Sequence, residues 1–383
     1  MDVITPHIFS PFEPRQDNLT FGLELEFAIA YIPPNGQNPN PKDPRQVTGI
    51  VTGPRKTWIA NLRKHVATTL RSAGISAVAN SPYSDDPTRG TEPFWLVKHD
   101  DTIKGPQLEG HLFLPIEINS PPFYFGSDEP FREIETVCKV MKENYIISCN
   151  RSCGVHVHVG NGLQGFRYEA MQNLLAIIWT FEPQIETIHP LHRVNNLQMC
   201  PSFRRWSELS RVHTPREGGK LDARAGLEEL LDLTDMNDFQ LFSDLTEPLK
   251  SEAQLGGSKL AYHFGDVGAE HHLSVRWKRT VEFRQHRSTL DFEELWLWIN
   301  FCVQLVMFAD STHQRKLSAL LRKCVNKSKK ELPLEQVLQK MGMVQLAESY
   351  PKKIAENAAV AVDKEEILSL IVVGMSENRS APV

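Results

Sequence analysis

The chain has 383 residues, 41% hydrophobic and 23% charged, a balance suited to one large domain or two with buried cores. A formal net charge of −5 and a sequence pI near 6.3 give no reason to expect nucleic acid or an anionic membrane as partner. The N-terminus, MDVITPHIFSPFEPRQDN, lacks the basic start and apolar stretch of a signal peptide, and the longest apolar run, Leu295 to Ala309, contains Asn300 and Gln304 and is short for a membrane span. A cytoplasmic location is therefore expected. Cys149 and Cys153 are four apart but no second pair follows, so the six cysteines read as thiols of a reducing compartment rather than as zinc ligands.

The first 20 residues are proline-rich and read as a loose arm. From Phe21 to Ala30 the chain alternates: Phe21, Leu23, Leu25, Phe27 and Ile29 share one face, Gly22, Glu24, Glu26 and Ala28 the other. That is the period of a strand with an aliphatic back and an acidic front. Residues 33–54 are dense in proline and glycine and read as loop. Thr57 to Ser72 is expected as an amphipathic helix, capped by Thr57 and closed by Gly74. Strands follow over Phe94–His99 and His111–Ser120; in the second, Glu117 and Asn119 lie opposite Leu112, Leu114, Ile116 and Ile118. A helix is expected over Phe131–Tyr145. The segment CGVHVHVG, Cys153 to Gly160, is a strand with His156 and His158 in front of its valines. Tyr168 to Ile188 is a long apolar helix.

Residues 190–258 lack steady periodicity apart from a helical piece near Leu227–Leu233, and a stretch of that length suits a lid, a substrate loop or a subdomain. Its basic residues, Arg211 and Arg216 among them, read first as a solvated loop and alternatively as a receiver of an acidic substrate. Thr280 to His286 is a strand with Glu282, Arg284 and His286 in front of Val281 and Phe283. Asp291, with Glu294 three residues on, resembles a capping box opening a helix over 292–309. The expected layout is an arm over 1–20, a catalytic domain over 21–310 with an insertion at about 190–258, and a helical extension over 311–383.

Four strands thus repeat one design, aliphatic behind and ionisable in front: Glu24 and Glu26, Glu117, His156 and His158, Glu282 and Arg284. In one sheet these faces line one cavity. Carboxylates gathered there repel, by about 4 kcal/mol for a pair ~4 Å apart at an effective dielectric of about 20, so cations belong between them. Singly, each pattern has a plainer reading: E-x-E as a solvated strand face, E-x-R as a salt bridge. Together they point to divalent metal.

The order E-x-E, Glu, H-x-H, E-x-R resembles the carboxylate–amine ligase superfamily, which contains glutamine synthetase and glutamate–cysteine ligase. Within it, FGLELEF, the stretches around WLVKHDD and EINSPP, CGVHVHV and TVEFRQHRSTLD resemble the amidoligase family. The resemblance implies an α+β fold whose curved, mainly antiparallel sheet forms an active-site cup, with helices on its outer face. It implies ATP and two Mg2+ or Mn2+ ions, and an acid (small molecule or peptide) and an amine or amino acid as partners. Glu26 and Glu117 would hold the ion nearer the substrates; Glu24, His156 and Glu282 the ion on the phosphates. Arg284 would touch the phosphoryl group in transfer, with His156 and Glu282 completing the catalytic set, and His158 would lie on the nucleotide side. Asp100 or Asp101 matches an acidic position near the substrate, and His286 and Arg287 are further substrate-facing candidates. Two departures stand out: Ala261-Tyr262-His263-Phe264 where relatives show Tyr-x-x-Asn, and Arg287-Ser288 where a small residue is expected.

The chemistry fits the residues. A carboxylate needs activation to become an amide, and placing it against ATP stacks negative charge that metals and an arginine neutralise. Oxygen ligands select magnesium or manganese. No G-x-x-x-x-G-K loop is present, so metals and side chains would hold ATP. The competing reading is a metal-dependent, amidase-like hydrolase that uses His-x-His and the carboxylates to activate water. The late position of His-x-His and the absence of regular strand–helix alternation speak against its common barrel form.

Overall fold

The computed structural model describes residues 19–49, 52–79, 93–106, 112–162, 165–194, 196–215, 219–233, 259–264 and 279–359. Most of the expected N-terminal arm, Arg216, the 234–258 part of the expected insertion and the end of the C-terminal extension lie outside them. The chain forms two compact units, one built on Gly22–His156 with Arg287–Trp296, the other on Val157–His286 with Leu297–Ala361.

The first unit holds strands β1 (Thr20–Ile32), β2 (Val47–Thr48), β3 (Ala77–Val78), β4 (Trp95–Lys98), β5 (Leu112–Asn119), β6 (Phe123–Tyr124) and β7 (Ile147–Ser148), and shares β8 (Gly154–Gly160) with the second. Their order is β3-β4-β5-β1-β8, with β2, β6 and β7 on β1. The long pairs, β1–β5 and β4–β5, are antiparallel; β1–β2 and β3–β4 are parallel. Leu25, Phe27 and Ile29 on β1 and Leu114, Ile116 and Ile118 on β5 are fully buried, as the alternation requires. On the other face of the same strands, Ala28, Ala30 and Phe113 are buried in a small cluster with Ile103, Ile146 and Cys153. One face of β1 therefore changes along its length from acidic to apolar.

Helices α1 (Arg55–Ser72) and α2 (Glu129–Asn144) belong to this unit. Thr57 is not the cap of α1: Pro54 precedes the helix in extended conformation, and its carbonyl accepts the Thr57 N–H at 2.8 Å. Proline suits that place because its missing N–H and fixed φ cost nothing at a helix start. Gly74 stops α1 with φ +85°, a conformation that disfavours side chains.

The second unit orders its strands β8-β10-β9, with β9 at Tyr262–His263 and β10 at Thr280–Arg287. The sheet is open and mainly antiparallel, in a mixed α/β fold. Helix α3 (Tyr168–Ile185) is buried nearly all round and ends in a 3-10 turn, Glu186–Ile188. Its Trp179 donates to the Ala223 carbonyl at 2.8 Å and packs edge-on against Phe203. Three short helices, α4 (Phe203–Trp206), α5 (Glu208–Val212) and α6 (Ala223–Asp232), occupy part of the segment that showed little periodicity. Glu182 of α3 ties down the first of them: its carboxylate accepts Ser202 Oγ at 2.8 Å and the N–H groups of Phe203 and Arg204 at 2.8 and 2.7 Å. Burial nevertheless pushes the Glu182 carboxyl up to about 7.

Helix α7 (Phe292–Ser311) starts where expected, with Asp291 Oδ1 accepting the Glu294 N–H at 3.1 Å. At 20 residues it is, contrary to the sequence expectation, long and apolar enough to cross a membrane, but 61% of its apolar window is buried inside the fold, as in a core helix. Helices α8 (Gln314–Cys324), α9 (Leu334–Lys340) and α10 (Val344–Ala359) follow. All six cysteines are buried, and burial pushes the thiols of Cys138 and Cys153 up to about 12.

Candidate functional site

In the first unit the front of β1 meets the front of β5 in register, Glu26 opposite Glu117 and Glu24 opposite Asn119. Lys98 of β4 lies opposite Glu117 from the other side, with Nζ 2.8 Å from Oε1. His156 stands between the glutamates of β1: Nδ1 is 3.0 Å from Glu24 Oε2, and Nε2 is 3.6 Å from Glu26 Oε1. Glu26 is fixed further by the Gly154 N–H, 2.7 Å from Oε2, while its carbonyl accepts the Ser288 hydroxyl. Asn119 Nδ2 donates to Glu24 Oε1 at 3.2 Å. Glu26, Glu117 and His156 are buried. Burial raises the Glu117 pKa, the nearby Glu24 charge adds to the rise, and Lys98 opposes it. Among the described residues, three carboxylates thus face one lysine and one imidazole. The donors are mostly hard oxygens with one ring nitrogen, a set that fits a divalent magnesium or manganese ion.

The second unit carries the opposite balance. Glu282 on β10 is almost completely buried, and it is paired by Lys259 Nζ at 2.9 Å and by the Arg284 guanidinium. His158 Nε2 is 4.0 Å from Glu282 Oε1, and Nδ1 is 3.1 Å from Thr280 Oγ1. Among the described residues, one carboxylate therefore faces two permanent cations and an imidazole. The strand is held from behind by Arg193, itself buried, which donates Nη2 to the Arg284 carbonyl at 2.7 Å. Tyr262 supports the next residue, its hydroxyl donating to Gln285 Oε1 at 3.1 Å. Alternation along β10 then leaves Glu282, Arg284 and His286 on the opposite face.

The remaining candidates take different places. Asp100 Oδ1 accepts the Thr102 N–H at 2.7 Å and shapes a turn, whereas Asp101 is exposed and lines a cavity with Arg55 and Lys104. His286 lies against the Trp298 ring, centroids 5.4 Å apart, and edge-on to His189. Arg287 binds Glu294, Nη2 to Oε1 at 2.6 Å, at the start of α7. Sequence reasoning missed Lys98, Lys259 and Arg193. Lys98 had a signal, since it alternates with Val97 on a predicted strand and so shares the polar face; Arg193 falls in the aperiodic segment and Lys259 just beyond it, and neither had one.

No curated protein matches the chain. A family model spans Glu24, Glu26, Asp100, Asp101, Glu117, His156 and His158 and ends before Glu282 and Arg284. That family is described as "Putative amidoligase enzyme"; its model matches residues 17–226, more than half of the chain, and the chain belongs to it.

Proposed function

We propose that this chain is an ATP-dependent carboxylate–amine ligase that forms an amide through an acyl phosphate and releases ADP and phosphate. The observation that carries the reading is the opposed charge of the two sets. Among the described residues, Glu24, Glu26 and Glu117 outnumber their cationic partners, which suits a divalent cation; Lys259 and Arg284 outnumber Glu282, which suits a phosphoryl anion. Strand β8 carries a histidine for each, His156 and His158, two residues and about 7 Å apart on one face.

In this reading Glu24, Glu26, Glu117 and His156 would hold Mg2+ or Mn2+. Bound metal would neutralise phosphate charge and align the reacting oxygens. Lys98 orients Glu117 and opposes the rise of its pKa. Arg284, held by Glu282 at rest, turns its fork to the phosphoryl oxygens as charge builds on them. The acid's carboxylate oxygen attacks the terminal phosphorus and ADP leaves. The amine nitrogen then attacks the acyl carbon, loses a proton, and phosphate departs with one oxygen of the original carboxylate.

The test follows from that oxygen. With 18O in the substrate carboxylate, label should appear in inorganic phosphate and the amide should be found by mass. Label in AMP would overturn the acyl-phosphate mechanism, and product formation without ATP would favour the hydrolase.

A further inference from the structure

A cavity of about 630 Å³ opens in the Gly22–His156 unit, lined by Arg55, Lys56 and Arg63 from the first turns of α1 and by His99, Asp101 and Lys104 from the loop after β4. Its size is that of a small-molecule site. Among the described residues that line it, four permanent cations and a histidine face one carboxylate, and the Asp101 side chain is 92% exposed, so water screens it. Three of these cations donate to backbone carbonyls. Arg55 donates to Phe113 O at 3.2 Å, Arg63 to Val97 O at 3.0 Å and Lys104 to Asp101 O at 3.2 Å. Arg55, Lys56 and Lys104 have no carboxylate partner among the described residues. Burial lowers the Arg63 pKa, as expected for a cation partly withdrawn from water.

The loop that presents Lys104 is pinned. The Lys104 N–H donates to Ser152 Oγ and its carbonyl accepts from Asn150 Nδ2, both at 2.8 Å. Between the turn at Asp100 and this anchor, Ile103 is buried in the apolar cluster. The cavity also adjoins the acidic set. His99 follows Lys98, the partner of Glu117, and Pro115, part of the lining, precedes Glu117 by two residues on β5. The two places lie on one face of that strand, roughly 7 Å apart.

We propose that this cavity is the subsite for the distal acidic end of the substrate, so that the acid used by the enzyme is a small di- or tricarboxylate. The assignment rests on the ligase reading: one carboxylate is activated beside Glu117, and the others are held by Arg55, Lys56 and Lys104. Charge-assisted bonds to Arg and Lys supply the affinity, and a monocarboxylate forgoes them.

Binding is measured by calorimetry on the full chain, without ATP, in buffer freed of metal by a chelating resin. The probes are tricarballylate, glutarate, butyrate and inorganic phosphate. Tricarballylate should bind about tenfold or more tighter than butyrate, with glutarate between, and affinity should fall with added salt. Arg55→Glu combined with Lys104→Glu should abolish the preference, Lys56→Glu should weaken it, and Lys64→Glu should leave it intact. Equal affinity for butyrate and tricarballylate, or a preference that survives both cavity variants, overturns the subsite. So does phosphate that binds more tightly than tricarballylate and displaces it. The two readings fail separately. Selective binding with no ATP-dependent amide sinks the ligase and spares the subsite; amide formation on monocarboxylates with KM unchanged in the cavity variants does the reverse.

Discussion

Glu117→Gln should make the metal-free protein more stable while removing its response to metal. Glu117 is crowded by the charge of Glu24 and faces Glu26 directly across the β1–β5 pair, which puts the Cβ atoms of the facing pair about 5 Å apart. At an effective dielectric of about 20 the repulsion is about 3 kcal/mol. Lys98 offsets part of it at 2.8 Å, but its side chain is 31% exposed, and solvent reduces that pair to about 1 kcal/mol. Glutamine keeps the shape, still accepts from Lys98 and removes the charge. A gain on the order of 1 to 2 kcal/mol is expected, in the direction given by the raised Glu117 pKa. Urea unfolding in resin-treated buffer measures it. Adding magnesium or manganese at about a hundredfold over Kd should then stabilise the natural chain by about 2.7 kcal/mol and the variant far less, so that their order reverses. A variant that is less stable without metal, beside a natural chain that metal does not move, would refute the picture of repelling carboxylates awaiting a cation.

Arg284→Lys should lower turnover roughly 100-fold or more while nucleotide binding, followed by calorimetry, changes little, because lysine keeps the charge and loses the fork. An unchanged rate would return Glu282–Arg284 to a structural pair. Gly226→Ala should destabilise by about 1 to 3 kcal/mol in thermal unfolding despite alanine's better helix propensity, since the added Cβ would stand 2.4 Å from Trp179 Cζ2; a more stable variant contradicts that packing. Glu182, at about 7 when folded against 4.5 as its ordinary value, takes up its proton more readily in the folded chain. Its contribution is therefore full below about 4.5 and is lost as pH rises through about 7, a fall on the order of 2 kcal/mol between about pH 5.5 and 8. Denaturant titrations should show Glu182→Gln less stable overall and its pH slope flatter by that amount; parallel slopes would remove Glu182 from the account.

The long strands were legible because burial acts on one face at a time. FGLELEF and CGVHVHV each write an aliphatic row and an ionisable row, and the fold buries the first of each pair of rows as expected. The two-residue strands and helices α4 and α5 were not legible, since they are shorter than any period that could announce them. The ion partners of the carboxylates were hidden for another reason. Lys98 reaches Glu117 only because β4 pairs with β5 in one register, and register is a property of two distant segments. Asp100 and Asp101 look alike in sequence; a single backbone N–H, that of Thr102, separates the turn former from the exposed carboxylate.

The buried thiols have a practical consequence. With Cys138 and Cys153 held at about 12, roughly one in thirty thousand of each is thiolate at about pH 7.5, and the other four sulfurs are also shielded from reagents. The natural chain is thus already a nearly silent background for maleimide chemistry. A single cysteine placed at exposed Thr102, on the loop that carries Lys104, would take a fluorophore there alone, and its emission would report arrivals in the neighbouring cavity without any of the six native cysteines having to be replaced.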